Sequence, residues 1–456
     1  MKQTLPTGFL WGNSTSSMQT EGGAHEGGKG PSVYDLRKAG PDNADWDVMI
    51  DEYHRYAEDY DLMQAMHMNC YRLQISWSRV CPDGDGDFNE DGIAFYHQLI
   101  DALVARNITP MICLYHFDMP LALAEKYNGF LSRHVVDAFV RFSKRMVDEF
   151  ADQVPYWITF NEQNLYSTSY SRVYAGCLEG GKRDADIYTI AHHVMVAHAQ
   201  VANYVHATTN VQIGGMLAYE ESYAATGNPR DNQFARQINE FMNRNLLDVY
   251  AHGHYSNQVM TYTKNHHLDF DFTAADQADF DQLKTDFIAF SYYRSTLIDA
   301  SRVPVNTIPN RYLDYGSVHN PYTPYNEWDW NVDPLGFRDV LTRVYNEYGI
   351  PMFPIENGIG VRENYDGHEI EDDYRIDYHR EHIRAMEQAM FEDGVAVIGY
   401  LGWGLIDIPS SSGNIDKRYG MVYVNRTNAD VKDLKRIPKK SFGWFKQVIA
   451  SNGADL

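Results

Sequence analysis

The sequence predicts an α/β fold, a single (β/α)8 barrel of TIM type that takes up the whole chain, residues 1–456. Three observations carry that expectation. Short apolar or aromatic runs alternate with longer segments of helical period. No low-complexity linker, repeat or abrupt change of composition divides the chain. Several of the runs end in groups that can do chemistry: Arg72, His116, Asn161 with Glu162, Tyr293 and Glu356. Barrel enzymes draw their reacting residues from the carboxyl ends of different strands. A polar residue at one strand end is an ordinary loop start, but five such ends favour a site.

The elements follow in order. Strands are expected at Phe9–Ser14, Cys70–Trp77, Pro110–His116 and Tyr156–Phe160 in the first half. Gln212–Tyr219, Phe287–Tyr293, Met352–Ile355 and Val397–Trp403 complete the set in the second. Helical patterns fill the intervals; from Tyr53 to Met66, for example, Tyr56, Tyr60 and Met63 recur at helical spacing.

Composition removes several function classes. Lys plus Arg number 39 against 62 Asp plus Glu, a formal net charge of −23. A nucleic-acid partner requires a basic face, so none is expected. No run of 18 apolar residues exists and the opening MKQTLPTGFLWG lacks a signal-peptide core, so no membrane partner and a cytoplasmic location are expected. The four cysteines, Cys70, Cys81, Cys113 and Cys177, lack CxxC spacing, which disfavours a disulfide scaffold or a cysteine zinc site. Whether the chain forms a homo-oligomer stays open.

Other motifs are weak. GAHEGGKG, Gly23 to Gly30, has phosphate-loop spacing but places Gly30 where Ser or Thr is needed, and Pro31 follows instead of a helix. In TIAHHVMVAHAQV, His193 and His198 stand roughly 140° apart around a helix and cannot close on one metal ion; a packed helix is expected. No GxSxG elbow occurs, which disfavours an α/β-hydrolase. The run EIEDDYRIDYHREH mixes both signs and reads as a solvated helix start.

Two carboxylates stand apart. Glu162 closes YWITFNE and Glu356 closes MFPIENG, each after an aromatic or apolar strand. Alone, either is most simply a loop residue or an ion-pair partner. Together on one barrel they fit two faces of one pocket, as glycosidic bond cleavage requires: one carboxyl protonates the leaving oxygen and one ionised carboxylate lies opposite. Arg72 at the end of the second strand would keep one of them ionised.

At these residues the chain resembles, from end to end, glycoside hydrolase family 1, the retaining β-glycosidases built on a (β/α)8 barrel. FLWGNSTSSMQTEGG resembles the family opening and implies that Gln19 contacts the sugar. YHRYAEDYDLMQAMHMNCYRLQISWSR resembles its second block, with Arg72 beside the nucleophile. LYHFDMP supplies His116, and TFNE supplies Asn161 for the 2-hydroxyl and Glu162 as acid/base. FSYYRS implies that Tyr293 bonds the nucleophile, PIENG implies Glu356 as that nucleophile, and Trp403 matches the tryptophan beneath the sugar.

The departures from the pattern are informative. Gln163, Ile355 and Ser291 stand where many members have proline, threonine and asparagine. After Trp403, ordinary β-glucosidases place a glutamate on the sugar's 4- and 6-hydroxyls; here the stretch reads WGLIDIPSSSGNIDKRYG, with Ser410 in that place. This resembles the 6-phospho-β-glycosidase branch and implies phosphate contacts from Ser410, Lys417 and Tyr419, with Ser412 as a helper. Taken alone, SSSGNIDKRYG is a polar loop; its place after the eighth strand, where barrels commonly bind phosphate, favours the site. Ser411, where phospho-galactosidases carry a tryptophan, points to the gluco epimer, and Ser291 points the same way.

The expected activity is a retaining 6-phospho-β-glucosidase, with a small-molecule 6-phospho-β-glycoside as partner. No metal or organic cofactor is required, because both steps are acid/base and nucleophilic chemistry. A 6-phospho-β-galactosidase or dual-specificity enzyme is the nearest alternative, followed by a plain β-glucosidase. A non-catalytic sugar-phosphate sensor ranks last, since both glutamates are present. The natural aglycone is not legible.

Overall fold

The computed structural model describes residues 4–180 and 183–456. Eight parallel strands form the central sheet: β1 (Leu10–Ser14), β2 (Cys70–Gln74), β3 (Thr109–Tyr115), β4 (Tyr156–Phe160), β5 (Gln212–Ala218), β6 (Phe287–Tyr292), β7 (Met352–Asn357) and β8 (Gly399–Trp403). Neighbours in sequence are neighbours in space, and β8 returns to pair with β1 from Leu10↔Gly399 to Ser14↔Trp403. A parallel bridge between Met352 and Val397 joins β7 to the approach of β8 and closes the ring. All eight predicted runs are therefore barrel strands.

The boundaries move for local reasons. β2 stops at Gln74, because Trp77 already starts the short helix Trp77–Val80. Val397 contributes only its bridge, and β8 proper starts at Gly399. β7 runs two residues past Ile355, so Glu356 lies inside a strand rather than after one.

Helices separate and cover the strands, including Glu52–Ala65, Glu90–Val104, Arg133–Phe150, Asp184–Thr208, Pro334–Tyr348, Asp373–Phe391 and Lys440–Ala450. The first contains the periodic residues anticipated from sequence, with Tyr60 and Met63 buried. Alternation along the strands divides the apolar residues into two sets. Cys70, Met111, Cys113, Ile158, Met216, Phe287, Ala289, Phe353, Ile355 and Leu401 pack together as one buried cluster. The complementary set, with Tyr71, Leu73, Ile112, Trp157, Phe160 and Phe290, packs with the helices. Gly12 lets β1 approach β2 closely, since a Cβ there would lie 1.7 Å from the Cys70 carbonyl oxygen.

His193 and His198 lie in the helix Asp184–Thr208 as packed residues. His193 Nδ1 meets the Phe130 carbonyl at 2.8 Å, and His198 Nδ1 meets the Thr159 hydroxyl at 2.7 Å. Among the described residues no helix is long and apolar enough to cross a membrane.

One expectation holds only in part. EIEDDYRIDYHREH does start a helix, and Glu369, Glu371, Asp373, Asp377 and Glu381 are exposed, but Asp372, Arg375, His379 and His382 on its other face are fully buried. Mixed charge conceals this, because Arg375 is paired with Asp372 and with Glu363, outside the run. Opposite charges that satisfy each other inside a protein have the same composition as charges facing water.

Candidate active site

At the carboxyl ends of the strands lies a cavity of about 490 Å³. It is lined by Gln19, His116, Asn161, Glu162, Tyr293, Glu356, Trp403, Ser410, Ser411, Ser412, Lys417 and Tyr419 among others. Every candidate residue except Arg72 is therefore on its wall. Arg72 lies in the middle of β2 rather than at its end as expected; it is fully buried, and its long side chain reaches Glu356 and Asn161.

Glu356 reaches the cavity through an irregularity. Its strand pairs with β6 in regular register to Pro354, then shifts so that Glu356 faces Ser291. Ile355 belongs to the inner cluster, yet the next side chain, Glu356, also bonds inward to Arg72. In a regular strand two successive side chains point to opposite faces; a bulge permits both to point in. Arg72 Nη1 donates to Glu356 Oε1 at 2.8 Å, and the Tyr293 hydroxyl donates to Oε2 at 2.9 Å. Both carboxylate oxygens are thus held. Arg72 Nη1 also reaches Ser14 Oγ at 3.2 Å, while Nη2 donates to Asn161 Oδ1 at 2.6 Å.

Glu162 is placed by a second departure from regular backbone. It follows β4 with φ 44° and ψ 57°, the left-handed region. That conformation costs a non-glycine residue roughly 1–2 kcal/mol, and such strain is concentrated at functional sites. The turn brings the consecutive side chains of Asn161 and Glu162 to one cavity. The Ser291 hydroxyl donates a short hydrogen bond to Glu162 Oε1. Ser291 was legible only as a departure from a pattern; its contact with Glu162 joins residues 129 positions apart.

The two carboxyls have different surroundings. Burial, and then the neighbouring Glu356 charge, raises the Glu162 pKa to about 8. Burial also raises Glu356, but Arg72 and Tyr293 oppose it by stabilising the ionised form. Desolvation, rather than mutual repulsion, is the largest influence on each. The pair is suited to one proton, carried on Glu162.

Polar and aromatic side chains line the cavity around these groups. The His116 and Trp403 rings stack with centroids 5.6 Å apart and planes 26° apart. Burial lowers the His116 pKa, which keeps the imidazole neutral. Ser16 donates to Gln19 Oε1 at 2.6 Å and Gln19 Nε2 donates to the Pro409 carbonyl at 2.7 Å, so Gln19 is tied to the residue before Ser410.

The other end of the cavity is built by the segment after β8. The Ser410 and Ser412 hydroxyls lie 2.9 Å apart, and the loop is closed by Gly413 N–H donating to the Ser410 carbonyl at 2.7 Å. The Lys417 ammonium lies 3.3 Å from the centre of the Trp330 ring. Among the described residues no carboxylate is within ion-pair reach of it. Burial lowers its pKa to about 7. Trp330 also receives the Arg294 guanidinium, 5.2 Å from the ring centre, and Arg294 Nε donates to Glu220 at 2.8 Å. Gly360 leaves room for Lys417, since a Cβ there would lie 2.6 Å from Lys417 Cγ. Trp330, Arg294 and Gly360 were not legible as site residues; they meet Lys417 only through the fold.

The model of glycosyl hydrolase family 1 matches residues 1–454. Aryl-phospho-beta-D-glucosidase BglA of Bacillus subtilis is 38% identical over 99% of both chains. Phospho-cellobiase of Klebsiella oxytoca is 36% identical over 100% of this chain and 99% of its own. A family 1 β-glucosidase from Thermotoga maritima superposes with a TM-score of 0.88 at 28% identity, covering 99% of each chain. The chain belongs to glycosyl hydrolase family 1.

Proposed function

We propose that this family 1 hydrolase is a retaining 6-phospho-β-glucosidase, acting on 6-phospho-β-D-glucosides in the cytoplasm. The observation that carries the phosphate specificity is Lys417, a half-buried ammonium on the cavity wall with an aromatic face but no carboxylate beside it. A buried cation without an anion is costly, and a phosphate dianion supplies the missing charge. Ser410 and Ser412 offer hydroxyls on the same wall, and Tyr419 a phenol. The names of the curated relatives, aryl-phospho-β-glucosidase and phospho-cellobiase, agree with this reading.

In the reaction, the Glu356 carboxylate attacks the anomeric carbon while protonated Glu162 transfers its proton to the glycosidic oxygen. The aglycone leaves as an alcohol and a glycosyl ester with Glu356 remains. Glu162, now ionised, takes a proton from water; the hydroxide oxygen bonds to the anomeric carbon and the ester bond breaks. Glucose 6-phosphate is released with its configuration retained. Arg72 and Tyr293 orient Glu356, Asn161 meets the 2-hydroxyl, and Gln19, His116 and Trp403 hold the ring.

The test compares kcat/KM for p-nitrophenyl β-glucoside, its 6-phosphate, and the galactoside 6-phosphate. The glucoside 6-phosphate is expected to be the best substrate. A preference for the unphosphorylated glucoside overturns the reading.

The same comparison decides the epimer. Ser411 is exposed on the cavity wall, with its carbonyl engaged by Arg37 Nη1 at 3.0 Å. It is too small to stack on a sugar but can bond an equatorial 4-hydroxyl directly or through water. A gluco preference with some galacto activity is expected, because a roomier pocket alone is worth only about 1–3 kcal/mol. Equal or reversed values for the two 6-phosphates refute the role of Ser411 and leave the glutamates untouched.

The pH profile follows from Glu162. It must be protonated in the first step, and its pKa is raised to about 8. As pH rises through that value the acid form is lost, so on the unphosphorylated glucoside, which does not need Lys417, kcat/KM is expected to fall tenfold per pH unit above about 8; on the 6-phosphate the fall is expected to begin nearer 7, where Lys417 loses its charge. The acidic limb reports protonation of Glu356. An alkaline limb centred below pH 6 contradicts the assignment of Glu162 as the acid.

A further inference from the structure

The buried charges behind the phosphate end of the cavity have no part in the reaction as described. Arg375, fully buried at the start of the helix Asp373–Phe391, donates from Nη1 to the Ile359 carbonyl at 2.8 Å and to the Tyr419 carbonyl at 2.9 Å. The first carbonyl is three residues past Glu356; the second belongs to a wall residue of the phosphate end. One guanidinium thus ties the loop after β7 to the segment after β8. Its Nε donates to Asp372 at 2.9 Å, and its Nη2 makes a short bond to Glu363.

The network continues beneath that segment. Lys439 bonds both Glu363 and Asp407. Asp407 accepts from Arg418 Nη1 at 2.9 Å and from the Gly420 N–H at 2.8 Å. Arg418 lies between Lys417 and Tyr419 and pairs with Val361 through a two-bond antiparallel bridge. In such extended backbone alternate residues face opposite ways. Lys417 and Tyr419 line the cavity, whereas Arg418 points back to Asp407 and to the Val424 and Arg426 carbonyls.

Three cations, Arg375, Arg418 and Lys439, therefore balance three anions, Asp372, Glu363 and Asp407. Buried ion networks seldom stabilise a fold more than well-packed apolar residues of the same volume. What they do well is fix geometry, because each charge requires its partners in place. The groups fixed here are backbone atoms flanking the phosphate end and the loop that follows Glu356.

We propose that Arg375, acting with Asp407, is a positioning residue for the 6-phosphate, setting Lys417 and Tyr419 at the correct reach from Glu356. This rests on the 6-phospho-β-glucosidase reading. A shift of the 417–419 segment weakens the grip on the phosphate and leaves the glutamates, held by Arg72, Tyr293 and Ser291, in position.

The test is Arg375→Lys, which keeps a charge for Asp372 and Glu363 but cannot present a planar fork to two carbonyls. KM for p-nitrophenyl β-glucoside 6-phosphate is expected to rise about tenfold with kcat nearly unchanged. The kcat/KM for the unphosphorylated glucoside is expected to hold, so the ratio between the two substrates falls about tenfold. A merely structural role lowers the active fraction and reduces kcat on both substrates alike; an unchanged ratio overturns the proposal. If Arg375→Lys does not fold, Asp407→Asn carries the same comparison, and the same ratio decides it. A wild-type enzyme that does not favour the phosphate indicts the functional reading instead, so the two failures are distinguishable.

Discussion

Glu356→Gln is expected to lower kcat by about four orders of magnitude or more, roughly 5.5 kcal/mol in the barrier. The amide keeps the shape of the side chain and one oxygen for Arg72, so the barrel and substrate affinity are expected to persist. It cannot form the glycosyl ester, which removes the two-step route altogether. Glu162→Gln is expected to behave differently. A p-nitrophenyl leaving group needs little protonation, so the first step survives while release of the intermediate slows. A burst of p-nitrophenol followed by slow turnover is the signature. The wild-type product, followed by NMR from the start of the reaction, is expected as the β anomer. An inverted product contradicts the assignment of Glu356 as nucleophile, and a Glu356→Gln enzyme with near-normal kcat contradicts it independently.

The second large effect concerns charge at the phosphate end. Ser410→Glu places a carboxylate on the wall where the phosphate is proposed to lie. At about 5 Å and an effective dielectric of about 20, the repulsion is roughly 3 kcal/mol per unit of phosphate charge. A loss of at least about a hundredfold in kcat/KM for the 6-phosphate is expected, against little change or a gain for the unphosphorylated glucoside. Lys417→Ala removes the cation itself and is expected to cost the 6-phosphate about a hundredfold, with the plain glucoside comparatively unaffected. Equal losses on both substrates in Lys417→Ala place Lys417 in the support of the fold rather than in phosphate binding.

The position of the barrel in the chain was legible because barrel strands are local. Each is a short apolar run bounded by polar loop residues, and all eight runs became strands within a few residues of their expected ends. The glutamates were legible for the same reason, each at the end of such a run. Lys417 and Ser410 were legible only through resemblance, since a polar loop has no period to read.

The tertiary structure decided what depends on residues distant in the chain. Composition could not distinguish Arg375 from a solvated charge, because Asp372 is a local partner that an exposed helix would also offer, and only the fold brings Glu363 and the Tyr419 carbonyl to it. Likewise, Ser291 bonds Glu162 and Trp330 supports Lys417 only when the sheet closes. Alternation along a regular strand would have turned Glu356 away from the side that Ile355 faces; the register shift against β6 brings both inward. The left-handed turn at Glu162 acts similarly on its side chain. Neither is written in a local pattern: a bulge and a positive φ at a non-glycine residue cost energy locally, and only the surrounding barrel, through Arg72, Asn161 and Ser291, makes them the lower-energy choice.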